Sequence, residues 1–199
     1  MLARFEEATE SHMITYQFGF RKKLSTTRQL LRITESIKED LESGWETRAV
    51  FLDIAKVFDR VWTDGLLYTL IVWIPCRIIR HIATYLQGRH FIVRVGSNLS
   101  SERVIKDRIV QGSKVGPKLF NISVNDIPIP RNCQIQLCLL ANDTAIMSTS
   151  TQQTVMENLK NYMTQLGKWL IMWKIKVNTD KCQIVYFMRR RSNPSPPML

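Results

Sequence analysis

Apolar and polar positions divide the chain into segments of two different periods. Leu30, Ile33, Ile37 and Leu41 recur at helical spacing, with Ser25 or Thr26 able to cap the start and Gly44 placed to stop the end. The short apolar run "RAVFLD" predicts a buried strand ending at Asp53. Ile54, Val57, Phe58, Val61 and Trp62 share one face of a second amphipathic helix, and residues 66–86 read as helical with a break near Pro75. "HFIVRVGSNLSSERVI" alternates up to Gly96-Ser97-Asn98 and predicts a hairpin. "QGSKVGPKLFNISVND" reads as a glycine-bearing loop entering a helix, with Pro117 suited to the first turn. In residues 133–147 the alternation of Ile135, Leu137 and Leu139 predicts a second hairpin turning at Ala141-Asn142-Asp143. Val155, Leu159, Tyr162, Leu166, Trp169 and Trp173 step by four and three, which predicts a long helix with one core-facing stripe. A strand pair around "KIKVN" and "CQIVYF" follows, then a basic tail rich in Pro and Ser, "MRRRSNPSPPML", of disordered composition. No internal repeat is visible. Helices and antiparallel hairpins in this order predict an α+β fold, with helices on one face of a small antiparallel sheet.

Composition narrows the partners. Of 199 residues, 28 are Lys or Arg and 17 Asp or Glu, a formal charge of +11 that favours a polyanion such as nucleic acid. The longest apolar stretch, "LLYTLIVWIPC", is too short to span a bilayer, and "MLARFEEATE" lacks a signal-peptide layout, so no membrane role is expected. Cys76, Cys133, Cys138 and Cys182 form no CxxC pair, and His12, His81 and His90 are scattered. That pattern argues for buried free thiols in a reducing compartment over zinc or disulfides.

Two strand ends carry acids, Asp53 and Asp143. Carboxylates brought together from neighbouring strands repel unless cations join them, and Mg²⁺ suits such a place. A pair of such ions about 3.5–4 Å apart serves phosphoryl transfer. Taken alone, the same residues are equally ordinary helix-cap and turn residues. Asp59 and Asp126 read as surface or capping residues.

"QFGFRKKLSTTRQLLRITESI", "FLDIAKVFDRVWTDGLLYTL", "VQGSKVGPKLFNISVNDIP" and "LLANDTAI", in this order and at these separations, resemble the reverse transcriptase of non-LTR retrotransposons, above all the jockey-type elements of insects. "KIKVNTDKCQIVYF" is similar to the motif after the catalytic hairpin in that family. The resemblance covers residues 14–187 and sets apart an N-terminal remnant, 1–13, and the tail, 188–199. It implies a right-hand polymerase palm with part of the fingers, an RNA template, a DNA primer, dNTPs and two Mg²⁺ ions. Elements of that kind act on nuclear DNA.

Residue by residue, the resemblance implies that Asp53 and Asp143 are metal-binding acids and that Phe58 is the gate beside the incoming sugar. It sets Gln111 and Gly112 against template and nucleotide, Lys181 beside the leaving pyrophosphate, and Arg21 toward the triphosphate or template. Where the family carries Tyr-x-Asp-Asp, this chain reads Leu140-Ala141-Asn142-Asp143. Asn142 offers one neutral oxygen where an aspartate offers two charged ones, and strand alternation turns Asp143 to the other face, away from that role. Val110 stands where the family has proline, and Lys114 at a position usually apolar. Upstream finger motifs and a thumb are expected to be missing. The expectation is an RNA-directed DNA polymerase domain by descent whose activity is impaired or absent. The alternative is a nucleic-acid-binding remnant without catalysis.

Overall fold

Four strands form an antiparallel sheet with helices packed on both of its faces. The computed structural model describes residues 2–54, 61–105, 109–110 and 112–189. Helix α1 (Leu2–Glu10) and helix α2 (Thr26–Glu42) precede strand β1 (Glu46–Asp53), and helices α3 (Thr63–Trp73) and α4 (Cys76–Leu86) follow. Next come four two-residue strands, β2 (His90–Phe91), β3 (Arg94–Val95), β4 (Asn98–Leu99) and β5 (Arg103–Val104), then helix α5 (Gly116–Ser123). The chain continues through β6 (Ile135–Leu140), β7 (Asp143–Ser150), α6 (Gln152–Met172) and β8 (Gln183–Phe187).

The main sheet has the order β6-β7-β1-β8. Within it Val50 pairs with Ile146, and Ile146 with Leu137, so these side chains share a face. That face builds the main core with Leu159, Leu166 and Trp169 of α6, Leu119 and Ile122 of α5, Leu66 and Leu70 of α3, and Phe5 of α1. All six stripe positions of α6, from Val155 to Trp173, are buried. Helix α2 lies on the opposite face, where Ile33 and Ile37 pack against Ala49, Cys138, Ala145 and Met147. Its carboxyl end is stapled there by Asp40, whose Oδ2 accepts hydrogen bonds from Thr47 at 2.9 Å and Thr149 at 2.7 Å.

Local chemistry explains the boundaries. Ser25 caps α2 by accepting from the backbone N–H of Arg28, and Pro75 separates α3 from α4. The Ser113 hydroxyl accepts from the Gly116 N–H at 2.9 Å, holding the entry to α5. The hairpin predicted after residue 90 exists as β2–β5 and β3–β4, and every residue of those strands is exposed.

Several expectations are corrected. "KIKVN" is not a strand of a pair: Val177 makes an isolated bridge to Ile54, because Lys174 at φ +56 and the 3-10 turn Thr179–Lys181 bend the chain on either side. Strand β8 pairs with β1 instead. Within the apolar stripe of α2, Leu30 is 56% exposed, and the buried residue of that helix is the polar Gln29. Cys138 is buried, while Cys76 and Cys133 are exposed, and all four thiols are free. The helix expected over 54–62 lies largely outside the described residues. Among the described residues, no helix is long and apolar enough to cross a membrane.

Asp126, read from sequence as a surface or capping residue, joins α5 to the long helix. Its two oxygens accept from the indole N–H groups of Trp169 at 2.9 Å and Trp173 at 2.8 Å, both buried. Asp126→Ala strips both indoles of a charged acceptor and is expected to cost about 3 kcal/mol. In a thermal melt that lowers Tm by roughly 6–12 °C.

Candidate active site

The sheet register sets two acids face to face. Asp53 ends β1 and Asp143 begins β7, and the two are direct cross-strand partners. Cross-strand partners share a face, so both carboxylates lie on the α2 side of the sheet. This corrects the expectation that Asp143 faces away. Asn142 sits in the two-residue turn Ala141-Asn142, outside the ladder, where strand alternation does not govern the side chain.

Asn142 reaches back from that turn to both acids. Its Nδ2 donates to Asp53 Oδ1 at 3.1 Å and to Asp143 Oδ1 at 3.4 Å. Asp53 Oδ2 in turn accepts from Asn178 Nδ2 at 3.4 Å and lies 3.7 Å from the Lys181 ammonium. Asn178 is held by a backbone hydrogen bond from its N–H to the Asp53 carbonyl, and the 3-10 turn that follows brings Lys181 alongside. Burial pushes the Asp143 pKa up and repulsion from Asp53 adds to the rise, while Lys181 opposes it. A cavity of about 300 Å³ opens between α2 and the sheet, lined by Asp53, Asp143 and Lys181 together with Gln29, Phe51 and Cys138.

The turn that carries Asn142 is clamped from the N-terminal side by residues the sequence reading passed over. Residues 16–18 run parallel to β6: the Phe18 N–H donates to the Leu139 carbonyl, and the Leu139 N–H donates to that of Tyr16. The buried Gln17 accepts at Oε1 from the N–H groups of Gly19 at 2.8 Å and Ala141 at 3.0 Å, and its Nε2 donates to the Ala141 carbonyl at 3.3 Å. Ala141 is thereby held at φ +57, a region L-residues seldom adopt. Gly19 lies so close that a Cβ there would come 2.1 Å from the Ala141 nitrogen. Buried Asn121 of α5 donates to the Gly19 carbonyl at 2.8 Å and fixes the clamp from below. The only sequence signal for this arrangement was the glycine within "QFGF".

Other expected residues are placed differently. The Arg21 guanidinium contacts Glu10 at 2.8 Å and donates to the carbonyl of Ile14. Glu10 also receives the buried Lys118 ammonium, and although burial alone would raise its pKa, these cations hold its carboxyl below the usual range. Gly112 adopts φ +82, which suits glycine. Phe58 and Gln111 lie outside the described residues. So the fold brings Asp53, Asn142, Asp143 and Lys181 together, and turns Arg21 toward Glu10.

The sequence profile described as reverse transcriptase (RNA-dependent DNA polymerase) matches residues 1–196. The chain belongs to the reverse transcriptase family. It is 34% identical over 173 residues to the probable RNA-directed DNA polymerase from transposon BS of Drosophila melanogaster, covering 83% of this chain and 19% of that protein. It is 31% identical over 182 residues to the RNA-directed DNA polymerase from mobile element jockey of the same organism, covering 88% and 20%. The chain thus spans about a fifth of the length of the curated relatives it matches. Among solved structures, apo telomerase from Candida tropicalis, truncated from its C-terminal domain, aligns with a TM-score of 0.64 at 14% identity, covering 96% of this chain and 40% of that one. Telomerase from Candida albicans with a fragment of telomeric RNA aligns equally well, at 92% and 34% coverage. At such identities the likeness shows the fold, an α+β polymerase palm.

Reverse transcriptases generally use Mg²⁺, and two such ions rest on carboxylates shared between them. Here the third acidic position is an amide whose N–H groups, not its oxygen, face both carboxylates. Among the described residues no cluster of three or more His, Cys, Asp or Glu could hold a metal ion. This donor set does not fit a two-ion centre.

Two outcomes test the site. Gly19→Ala drives a methyl into the backbone of the turn and is expected to cost about 1–3 kcal/mol in a urea melt. A raised Asp143 pKa means the folded protein holds this proton more tightly than the unfolded chain. The charge therefore disfavours folding increasingly as pH rises through the carboxylate range. In EDTA, Asp143→Asn is expected to raise Tm at neutral pH, and the gain disappears in acid below that range.

Proposed function

We propose that this chain is the palm, with part of the fingers, of an RNA-directed DNA polymerase that adds dNTPs to a DNA primer on an RNA template. The observation that carries the reading is the cross-strand pair Asp53–Asp143 with Lys181 beside it, in a chain of the reverse transcriptase family. In this reading a carboxylate of the pair accepts a hydrogen bond from the primer's 3′ hydroxyl, and Lys181 meets the charge that develops on the leaving pyrophosphate. Lys181 is 69% exposed, so its ammonium is free to move to an entering phosphate. Phe58, as the gate against a 2′-hydroxyl, and Gln111 with Gly112, against template and nucleotide, complete the proposal by resemblance.

Asn142 separates this copy from an efficient enzyme. Loss of an outer partner of a metal ligand already costs about 10–100-fold in affinity or activity, and a carboxylate that would itself hold the ion counts for more. We assign the unaltered chain weakened Mg²⁺ binding and severely reduced synthesis. A second reading, binding of nucleic acid without chemistry, is favoured by the +11 charge together with the amide at position 142.

Primer extension on an RNA template with Mg²⁺ separates the two, run beside template–primer binding by fluorescence anisotropy. Asn142→Asp is expected to exceed the unaltered chain by at least about 100-fold, with Asp53→Ala abolishing the gain. Salt-sensitive binding by both proteins, without extension by either, supports the second reading. Robust extension by the unaltered chain contradicts the assignment of impaired activity.

A further inference from the structure

We propose that the Asn142 amide takes the place of a cation between Asp53 and Asp143, so that this carboxylate pair is assembled without a divalent ion and resists the entry of one. The proposal rests on the polymerase reading for which ion is at issue, and on geometry alone for the bridge.

Two carboxylates placed opposite each other on neighbouring strands repel, and the ladder fixes their backbones as direct partners. An ion would remove the repulsion by its charge. In this chain one side-chain nitrogen does so by hydrogen bonding, since Nδ2 carries two N–H groups and lies 3.1 Å from one acid and 3.4 Å from the other. The second oxygen of Asp53 is engaged as well, by Asn178 at 3.4 Å and Lys181 at 3.7 Å.

The bridge is held in place from behind. Gln17 binds both the N–H and the carbonyl of Ala141, and Gly19 packs against the same peptide, so the residue before Asn142 is fixed in position. An incoming ion must therefore compete with a donor already in place. To coordinate it, Asn142 has to rotate its amide, give up both hydrogen bonds and offer a single uncharged oxygen. An aspartate at 142 would do the reverse: without an ion it adds a third negative charge to the cluster, and with one it supplies a ligand. Asn142 is on this view a positioning residue, and its replacement couples folding to divalent ions.

The test is thermal melting of the unaltered chain, Asn142→Asp and Asn142→Ala, each in EDTA and at rising Mg²⁺, with Mn²⁺ binding followed by electron paramagnetic resonance. The unaltered chain is expected to melt at the same temperature in EDTA and in Mg²⁺. Asn142→Asp melts lower in EDTA, recovers with Mg²⁺, and binds Mn²⁺ at least about tenfold more tightly. Asn142→Ala also melts lower in EDTA, because the bridge is gone, and Mg²⁺ restores it less than it restores Asn142→Asp. If Asn142→Asp folds only once Mg²⁺ is added, that supports the proposal too. A Mg²⁺-induced gain in the unaltered chain as large as that of Asn142→Asp overturns it, and so does an Asn142→Ala variant that melts with the unaltered chain in EDTA. Ion-linked stability in Asn142→Asp without primer extension leaves the bridge standing and counts against the polymerase reading.

Discussion

The register between β1 and β7 is the constraint from which the rest of the site follows. Val50 and Leu52 point into the main core and Ala49 and Phe51 point the other way, so the ladder is specified by burial on both faces. A slip of one residue would exchange the faces, sending Val50 and Leu52 toward α2 and Ala49 and Phe51 into the main core. With that register held by hydrophobic packing, Asp53 and Asp143 have no choice but to meet. Like charges are kept together by an apolar core that gains nothing from their company. What neutralises them then decides what the centre can do.

In this chain the groups that bond them are amides and an exposed lysine, and the amide that touches both acids stands on a turn held from outside. Gln17 and Gly19 belong to one stretch and Asn121 to another, and each contacts the others or the turn through backbone groups. The Gln17 amide uses both its oxygen and its nitrogen on this turn, and a buried amide bonded in that way specifies one geometry. The same logic recurs at Asp40, which ties α2 to Thr47 and Thr149, and at Asp126, which ties two tryptophans of α6 to the loop after α5. The polar residues of this domain do more to fix its parts relative to one another than its few surface ion pairs do.

Family membership and the state of the centre answer different questions. The reverse transcriptase profile spans residues 1–196, and the telomerase structures share the fold at 14% identity. A fold of this kind survives because its core pattern survives, and substitutions at the hairpin turn leave that pattern untouched. An aspartate-to-amide change at 142 alters charge at a surface turn and removes no core contact. A polymerase palm can therefore keep its architecture whichever donor its hairpin turn presents.

Periodicity and local residue chemistry were enough to read the α6 stripe, a cap of α2 at Ser25 or Thr26, the break near Pro75 and the β6–β7 hairpin, because each depends on neighbours within a few residues. The resemblance to the reverse transcriptase family, not the residues taken alone, pointed to Asp53, Asn142, Asp143 and Lys181. Pairings between distant segments were not legible: that β8 adds to β1 instead of forming a pair with "KIKVN", that α2 crosses to the sheet's second face, or that Gln17 clamps a turn 124 residues away. Nor could alternation place Asp143, since counting residues along a strand fails where a two-residue turn resets the ladder. Local sequence sets periods and caps through short-range sterics. Which carboxylate faces which, and what donor lies between them, is decided only when long-range packing fixes the register.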